Sequence, residues 1–378
     1  MRIVVIGTAY PYRGGLAAFN ERLSQQFVAE GETVEIVTFT LQYPGFLFPG
    51  KTQFSDDAAP AGLSISRKVN SCNPFNWVSV GRSVAAQKPD VVLFAYWMSF
   101  MAPCFGTIAR VAKRANPSTK MIGLVHNMIP HEPNVMDKLF PSYFVHAMDG
   151  FVALSQSVVD DIAHFDKKAK PKAFSPHPIY DHYGKILPRE EALQRLSLPT
   201  DCRYILFFGF IRAYKGLDLL LSAMADERLK TRNVKLLVAG EFYGSPDPYM
   251  NQVKALGLEE NVIFCSDYIP NDEVNRYFSA ADIVAQPYKT ATQSGVSQVA
   301  YHFEKPMVVT NVGGLSEIVP DGKVGYVVEP NPTSIADALD AFFTKGLGLD
   351  FEQNMKAEKQ KYAWSKMTDT VRKVVNDI

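Results

Sequence analysis

The sequence has few cysteines, no excess of charge of either sign and no long apolar run. The cysteines lie far apart and form no CxxC pair, which argues against a disulfide framework or a zinc site and favours reduced core residues; they are Cys72, Cys104, Cys202 and Cys265. Basic and acidic residues number 39 each, so the formal net charge is zero. Without a basic excess, nothing indicates a nucleic-acid partner.

Targeting and membrane-spanning segments are also missing from the sequence. The run Met1–Gly7 already has the pattern of a strand, which predicts that there is no signal peptide. No stretch reaches the ~18–20 apolar residues that a membrane span requires. We therefore expect a cytoplasmic protein, and contact with the inner face of the membrane stays open. The 378 residues exceed one typical core, so two domains are expected.

Short runs of β-branched residues recur along the chain, with amphipathic stretches between them. The first series predicts buried parallel strands at Ile3–Ile6, Val34–Val37, Val91–Phe94, Met121–Val125 and Phe151–Leu154. The second series predicts strands at Tyr204–Phe208, Val234–Val238, Val262–Cys265, Ile283–Gln286, Met307–Thr310 and Gly325–Val328. Residues 166–189 show no clear periodicity. The linker is therefore placed there, and two doubly wound sheets are favoured over one long sheet.

Two features beside these strands have two interpretations each. The linker carries a lysine cluster, for which a solvated loop is favoured over contact with anionic lipid headgroups; its members are Lys167, Lys168, Lys170 and Lys172. The lipid contact would suit a lipid-linked acceptor. Trp97 and Met98 follow a predicted strand and either line an acceptor pocket or belong to the core.

Two glycines stand at the start of the first predicted helix, Ala17–Val28. The loop before it, Gly7–Gly15, contains no GxGxxG, so the dinucleotide fingerprint is absent and a dehydrogenase is disfavoured. Gly14 and Gly15 still leave bare backbone N–H groups at a helix start, where the helix dipole favours an anion. The glycines are therefore either simple turn residues or ligand contacts.

A pair of cations follows the first strand of the second series. Arg212 and Lys215 stand three residues apart in Phe208–Asp218, before the predicted helix Leu217–Ala225. Arginine offers a planar fork of donors and lysine a compact charge, and both suit phosphate. The strand–glycine–cation–helix context favours phosphate binding over a solvated loop.

A histidine also follows a predicted strand, Met121–Val125. His126 therefore lies at the carboxyl end of that strand, where ligands bind in open α/β sheets. His131 and Glu132 come soon after, but there is no H-E-x-x-H spacing, so a metal site is disfavoured. A structural loop histidine remains the alternative to a functional one.

Several of these segments resemble a known family. Arg212 with Lys215-Gly216, and then Gly240-Glu241 after the next strand, are similar to motifs of retaining GT-B glycosyltransferases of family 4, also called glycosyl transferases group 1. Further segments match at Ala280–Pro287, at Lys305–Glu317, and at Asp321-Gly322 followed by Gly325. The resemblance covers almost the whole chain, and the part from 280 to 340 is specific.

The resemblance implies an α/β chain with the GT-B fold, in which two Rossmann-like doubly wound domains face a central cleft. We assign residues 1–180, with a C-terminal crossing helix at 362–378, to an acceptor-binding domain. Residues 181–361 are assigned to a domain that binds the nucleotide sugar. The family's pattern places the donor diphosphate on Arg212 and Lys215 and the transferred sugar near His126. The remaining donor contacts that it implies are Gly14, Gly15 and Glu241.

One departure from the family concerns two glutamates spaced eight positions apart. The corresponding region, Ala291–Tyr301, contains neither of them, so the mode of holding the donor's ribose and sugar hydroxyls is open. Gln293, Ser294 and Gly295 are the candidate donor-binding residues there. A hydroxyl and backbone N–H groups at a helix start suit phosphate.

The function implied is a retaining, metal-independent glycosyltransferase. It would move a sugar from a nucleotide diphosphate sugar to a glycan, a glycolipid or another hydroxyl acceptor, with no cofactor beyond that co-substrate. Two alternatives stay open. One is a GT-B nucleotide-sugar epimerase, although the segment from 280 to 340 resembles the transferases more. The other is a non-catalytic partner of another glycosyltransferase, which the missing glutamates make plausible and the presence of Arg212, Lys215 and His126 argues against.

Overall fold

The computed structural model describes residues 1–44, 53–55, 58–129, 136–181, 183–291 and 294–378. The chain divides into two compact units. The first is Met1–His177 together with Ala363–Ile378, and the second is Pro178–Tyr362. None of the helices in the described ranges is long and apolar enough to span a lipid bilayer.

The first unit is built on a parallel sheet. Its strands are β1 (Arg2–Ile6), β2 (Thr33–Leu41), β3 (Ser64–Asn70), β4 (Val91–Tyr96), β5 (Lys120–Val125), β6 (Gly150–Ala153) and β7 (Lys172–Phe174). Between them lie α1 (Gly15–Ala29), α2 (Pro74–Ala86), α3 (Ala102–Ala115), α4 (Met136–Val145) and α5 (Gln156–Phe165). The strand order is β3-β2-β1-β4-β5-β6-β7, with every pair parallel. The direction of winding therefore reverses between β1 and β4.

The second unit repeats this arrangement. Its strands are β8 (Arg203–Phe208), β9 (Val234–Ala239), β10 (Val262–Cys265), β11 (Ile283–Gln286), β12 (Met307–Thr310) and β13 (Gly325–Val328). Its helices are α6 (Arg189–Arg195), α7 (Leu217–Met224), α8 (Glu227–Lys230), α9 (Asp247–Ala255), α10 (Val274–Ala280), α11 (Gly295–His302), α12 (Leu315–Ile318), α13 (Pro332–Lys345) and α14 (Gly348–Glu358). The order β10-β9-β8-β11-β12-β13 puts the reversal between β8 and β11. In such sheets ligands bind outside the carboxyl ends of the strands at the reversal.

Burial of both sheet faces explains why most strands could be predicted. Every residue of β4 is buried, as expected for a central parallel strand covered by helices on both sides. On one face of the first sheet α1 packs through Phe19, Leu23 and Phe27. The last helix, α15 (Trp364–Asn376), packs in the same cluster. The two doubly wound sheets that the sequence predicts are confirmed.

The structure corrects three sequence interpretations. The strand β3 was not predicted, because its partly exposed edge position carries the polar run Ser66–Lys68. The strand β7 lies inside the region that showed no periodicity, and Lys172 is part of it. The lysine cluster is therefore not wholly a solvated loop. Cys72 is exposed and not in the core, whereas Cys104 and Cys202 are buried and Cys265 is half-buried.

Candidate functional site

Three strand ends converge in the second unit because glycines replace side chains there. Gly240 follows β9, and a Cβ at this position would lie 2.4 Å from the carbonyl oxygen of Gly209 after β8. Gly216 precedes α7 with φ +69°, and a Cβ there would lie 1.9 Å from the carbonyl oxygen of Pro287 after β11. Only glycine fits such close backbone approaches. The loop with the cation pair is thus held at the carboxyl ends of β8, β9 and β11.

We expect Gly216→Ala to destabilise the second unit by more than about 3 kcal/mol, because a left-handed φ and a backbone clash both oppose the new Cβ. Nucleoside diphosphate binding should fall with it, since α7 and its cation loop must move. Gly322→Ala is the matched control. Gly322 has nearly the same φ, +70°, but a Cβ there meets no atom within 4 Å. Urea unfolding should show a loss of only about 1 kcal/mol in the control. Equal losses in the two variants would contradict this account.

Lys215 is a buried cation that lacks a carboxylate partner in the described part of the chain. Its side chain is 9% exposed, and no carboxylate of the described residues forms an ion pair with it. A Cβ on Gly209 would lie 3.1 Å from Lys215 Nζ, so the ammonium rests against that glycine. Nζ also lies 5.7 Å from the ring centroid of Tyr288. Burial, with a smaller contribution from Arg212, lowers the pKa of Lys215 to about 8.

Arg212 is the second cation of the pair. Its Cζ lies 4.0 Å from the ring centroid of Tyr243, a distance typical of cation–π stacking. No ion pair of Arg212 occurs among the residues that the structure describes. Arg212 and Lys215 are neighbouring cations, one of them buried, and neither pairs with a carboxylate in the ranges given above. Such a site favours an anion with more than one negative charge.

The lowered pKa of Lys215 leads to a prediction about the pH dependence of ligand binding. The ammonium must be charged to bind an anion, and its pKa of about 8 lies just above neutral pH. We therefore expect the Kd for a nucleoside diphosphate to rise as the pH increases from about 7 to 9. Lys215→Arg should show a flatter profile, because a guanidinium stays charged over this range. Calorimetric titration at constant ionic strength measures both profiles, and parallel profiles would rule out Lys215 as the titrating group.

The start of α11 adds further polar groups to this unit. Ser294 is the N-cap residue, but its hydroxyl makes no capping hydrogen bond. The hydroxyl lies 3.4 Å from the hydroxyl of Tyr288, which also packs near Lys215. Gly295 is the first helical residue, and a Cβ there would lie 3.0 Å from a ring carbon of Tyr180. The structure thus brings Ser294 close to the tyrosine beside Lys215, whereas Gln293 lies outside the described residues.

Glu241 connects two of the loops at these strand ends through its main chain. Its carbonyl oxygen accepts a hydrogen bond from Ile211 N at 2.8 Å, which ties the loop after β9 to the loop after β8. Its side chain is exposed. The structure therefore shows a main-chain role for Glu241 in positioning the cation loop. Donor binding by its carboxylate stays a prediction.

One buried polar residue of this region was missed from the sequence. Gln298 on α11 is 1% exposed, and its Oε1 has no hydrogen-bond partner among the described residues. A helical side chain leans toward the N-terminus of its helix, which is here the end that carries Ser294. A buried carboxamide without partners is costly unless a ligand or water satisfies it. The signal in the sequence was a glutamine within the segment where the family's glutamates are absent.

The first unit has a helix start at the carboxyl end of β1. Gly14 is the N-cap residue of α1, with φ +109°, and as a glycine it has no side chain that could cap the helix. Gly14 and Gly15 are both exposed, so the first N–H groups of a long helix are open to a ligand. Gly7, just after β1, is closely packed, because a Cβ there would lie 2.8 Å from both Ala95 Cβ and Asn20 Nδ2.

His126 is buried directly after β5. Its backbone N–H donates to Tyr96 O at 2.8 Å, and its ring lies edge-on to Phe19 at 4.8 Å between centroids. Burial, with a smaller contribution from His177, lowers the pKa of His126 to about 3. The imidazole is therefore neutral at physiological pH. Its Nε2 is buried and has no hydrogen-bond partner among the described residues.

Other buried polar groups near these strand ends also have an unsatisfied atom. Three of these residues follow a strand of the first sheet, and the fourth lies on α1. The atoms that have no hydrogen-bond partner among the described residues are Thr8 Oγ1, Asn20 Oδ1, Gln42 Oε1 and Ser99 Oγ. Sequence reasoning missed all four, because a single polar residue after a strand is common. Trp97 and Met98 are half-buried and pack against the first unit's core. They therefore contribute to the core while keeping an exposed side.

Comparison with known proteins finds relatives that match mainly the second unit. Residues 188–363 match the family model described as glycosyl transferases group 1. A D-inositol 3-phosphate glycosyltransferase of Corynebacterium aurimucosum is 34% identical over 200 residues, which are 50% of this chain and 47% of that protein. The chain thus spans about half the length of this curated relative.

Two further comparisons extend over the whole chain. An uncharacterized glycosyltransferase of Methanocaldococcus jannaschii is 23% identical, with 100% of this chain and 99% of that protein aligned. The structure of HepE from Anabaena, in complex with UDP and glucose, is similar with a TM-score of 0.72 at 14% identity, covering 100% of both chains. The chain therefore has the GT-B fold of two Rossmann-like domains, and its residues 188–363 are similar to glycosyl transferases group 1.

Proposed function

We propose that the protein is a glycosyltransferase whose second unit binds a nucleotide diphosphate sugar. The observation that carries the proposal is the pair Arg212 and Lys215, two cations that lack carboxylate partners within the described residues. A diphosphate supplies two or more negative charges and oxygen acceptors for both side chains. HepE, which shares the fold, is known with bound UDP and glucose, and this supports a donor of the same class.

We further infer that transfer is of the retaining, family 4 type. The acceptor hydroxyl oxygen forms a bond to the anomeric carbon on the face from which the diphosphate departs. The bond between that carbon and the diphosphate oxygen breaks, and the acceptor proton passes to the departing diphosphate. Arg212 and Lys215 stabilise the charge that develops on the leaving group, so catalysis is mainly electrostatic. No protein group has to act as the nucleophile.

The first unit is proposed to bind the acceptor. Neutral His126 has one donor and one acceptor nitrogen, and the unsatisfied atoms of Thr8, Asn20 and Ser99 are also neutral. Neutral donors and acceptors of this kind are better suited to binding hydroxyl groups than to binding charged groups. A glycan or a lipid-linked saccharide fits this chemistry, and a lipid-linked acceptor would bring the protein to the inner face of the membrane.

A thermal-shift screen against a panel of nucleotide sugars and nucleoside diphosphates tests the donor assignment. A ligand present at 100 times its Kd should stabilise the protein by roughly 2.7 kcal/mol. Failure of every nucleotide to stabilise the wild type would overturn the proposal. Product analysis without an acceptor then separates the alternatives. Epimerised sugar would indicate an epimerase, and binding without any product, with acceptors supplied, would indicate a non-catalytic partner.

Chelation makes a separate prediction. We expect EDTA to leave transfer unchanged, because Arg212 and Lys215 supply the positive charge that a metal would otherwise provide. No group of three or more His, Cys, Asp or Glu side chains suited to a metal occurs within the described ranges. Initial rates with EDTA, and with added Mg²⁺ or Mn²⁺, measure the effect. An activity that EDTA abolished and a divalent cation restored would contradict the metal-independent mechanism.

A further inference from the structure

A surface pocket of about 460 Å³ lies in the first unit, away from the strand ends described above. It is formed by the end of α3 and by the segments that lead into β6 and β7. These segments lie at the amino edge of the sheet. His126 lies at the carboxyl edge, about 20 Å away along β5 by the rise of a strand. The pocket is therefore separate from the candidate acceptor site.

Positive charge dominates the lining of this pocket. Its basic members are Arg110, Lys113, Arg114, His146, Lys168 and Lys170. Ile378, the last residue of the sequence, also lines the pocket, and the one acidic side chain in the lining is that of Asp149. Its Oδ2 already accepts hydrogen bonds from Lys113 Nζ at 2.9 Å and from Met121 N at 2.8 Å. The pocket thus has a marked excess of positive charge in a chain whose formal net charge is zero.

Two of the cations are held in place by main-chain carbonyl groups. Lys170 Nζ donates to Val145 O at 2.7 Å and to Met148 O at 2.6 Å. Arg110 donates to Tyr143 O at 2.8 Å, and its guanidinium lies 3.8 Å from that ring's centroid. Because these charges are already positioned, little side-chain entropy would be lost when an anion binds.

Arg114 and Lys168 at the rim are exposed, and neither side chain has a carboxylate partner among the described residues. Burial lowers the pKa of Lys170; attraction to Asp166 and Asp149 opposes this, and repulsion from Lys168 and Arg110 adds to it. A bound anion would reduce the electrostatic repulsion between these neighbouring positive charges.

We propose that this pocket binds the phosphate group of a ligand other than the nucleotide sugar. Guanidinium forks and compact ammonium charges are the groups that bind phosphate in proteins. The volume exceeds that of one phosphate and leaves room for the rest of a phosphorylated molecule. The ligand is either a free phosphorylated metabolite or the headgroup of an anionic lipid. The site does not depend on the function proposed for the second unit.

The test uses the double variant Arg114→Glu/Lys168→Glu of the full chain. Both side chains are exposed, so the fold should tolerate the change. Lys254→Glu/Lys345→Glu is the matched control, with the same charge change at two exposed lysines of the second unit. Calorimetry with sodium tripolyphosphate probes a free phosphate. Flotation with vesicles of phosphatidylcholine and phosphatidylglycerol, against pure phosphatidylcholine, probes a lipid headgroup.

We expect the pocket variant to lose about tenfold or more in affinity for one of the two probes, and the control to stay within about twofold. The probe that responds identifies the source of the phosphate. Arg212→Ala/Lys215→Ala, titrated in parallel, should keep pocket binding, which separates this site from the diphosphate site. If the wild type bound neither probe, or if the pocket variant and the control bound both equally, the assignment would be overturned.

Discussion

Replacing Lys215 with methionine is expected to remove most of the transfer activity while it stabilises the second unit. The ammonium is buried, none of the carboxylates that the structure describes pairs with it, and its pKa is lowered from 10.5 to about 8. A shift of this size corresponds to roughly 3 kcal/mol of unfavourable burial. Methionine has a similar length and no charge, so the free energy of unfolding should rise by about 1–3 kcal/mol.

The same substitution should impair function strongly. Loss of one charge-assisted contact should weaken nucleoside diphosphate binding about 10- to 100-fold. Transfer should fall about 100- to 1,000-fold, because the charge on the leaving group is largest in the transition state. Arg212→Ala should also weaken binding, but without the gain in stability, since Arg212 is only half-buried and stacks on Tyr243.

The sign of the stability effect can be checked through its pH dependence. The pKa of Lys215 is lower in the folded than in the unfolded protein, so the unfolded chain binds more protons between about pH 8 and 10.5. The burial cost is fully present below pH 8 and is relieved as the pH rises through that window. The stability difference between Lys215→Met and wild type should shrink accordingly. Lys254→Met, at an exposed site, is the control. Undiminished diphosphate binding by Lys215→Met would refute the assignment.

Substitution of His126 is expected to reduce transfer by about 100-fold or more and to leave diphosphate binding unchanged. His126 belongs to the first unit, whereas Arg212 and Lys215 belong to the second. Under the proposed function the cations contact the part of the donor that leaves, and His126 contacts the sugar that moves. A contact that strengthens in the transition state affects kcat.

Two variants separate this role from a structural one. His126→Leu fills the buried site beside Phe19 without polar atoms, and His126→Gln restores a donor and an acceptor. We expect partial recovery of kcat in His126→Gln relative to His126→Leu. His164→Leu, at an exposed position on α5, is the control. Steady-state kinetics with parallel titration of the nucleoside diphosphate measures both effects. A normal kcat in His126→Leu would place this histidine among the core residues.

How well the sequence predicts a strand depends on how much of that strand is buried. Central strands such as β4 were predicted because both faces are covered and the sequence becomes continuously apolar. Edge strands such as β3 and β7 were missed, because their exposed positions carry polar residues that break the pattern. Local patterns therefore predict the inside of a parallel sheet better than its edges.

In the candidate site, too, some features could be predicted from the sequence and others could not. Arg212 and Lys215 could be placed at a strand end, because a strand, a glycine, a cation and a helix follow one another in the chain. The burial of Lys215 could not be predicted, since it depends on Gly209 and on Tyr288, which comes from a distant segment. The requirement for glycine at position 216 likewise arises from Pro287 after β11. Such contacts between distant segments are set by the tertiary structure, and no local pattern reports them.

The last helix, α15, has a consequence for the order in which the chain folds. Trp364 packs against Phe19 at 5.2 Å between ring centroids, and Arg372 forms ion pairs with Glu30 at 2.7 Å and Glu32 at 3.2 Å. During synthesis the first unit therefore emerges early but lacks one covering helix until α15 has left the ribosome. The second unit is continuous and can fold before the first is complete. A nascent chain stalled before α15 should expose the apolar face that α15 covers, and it should be the species that chaperones bind.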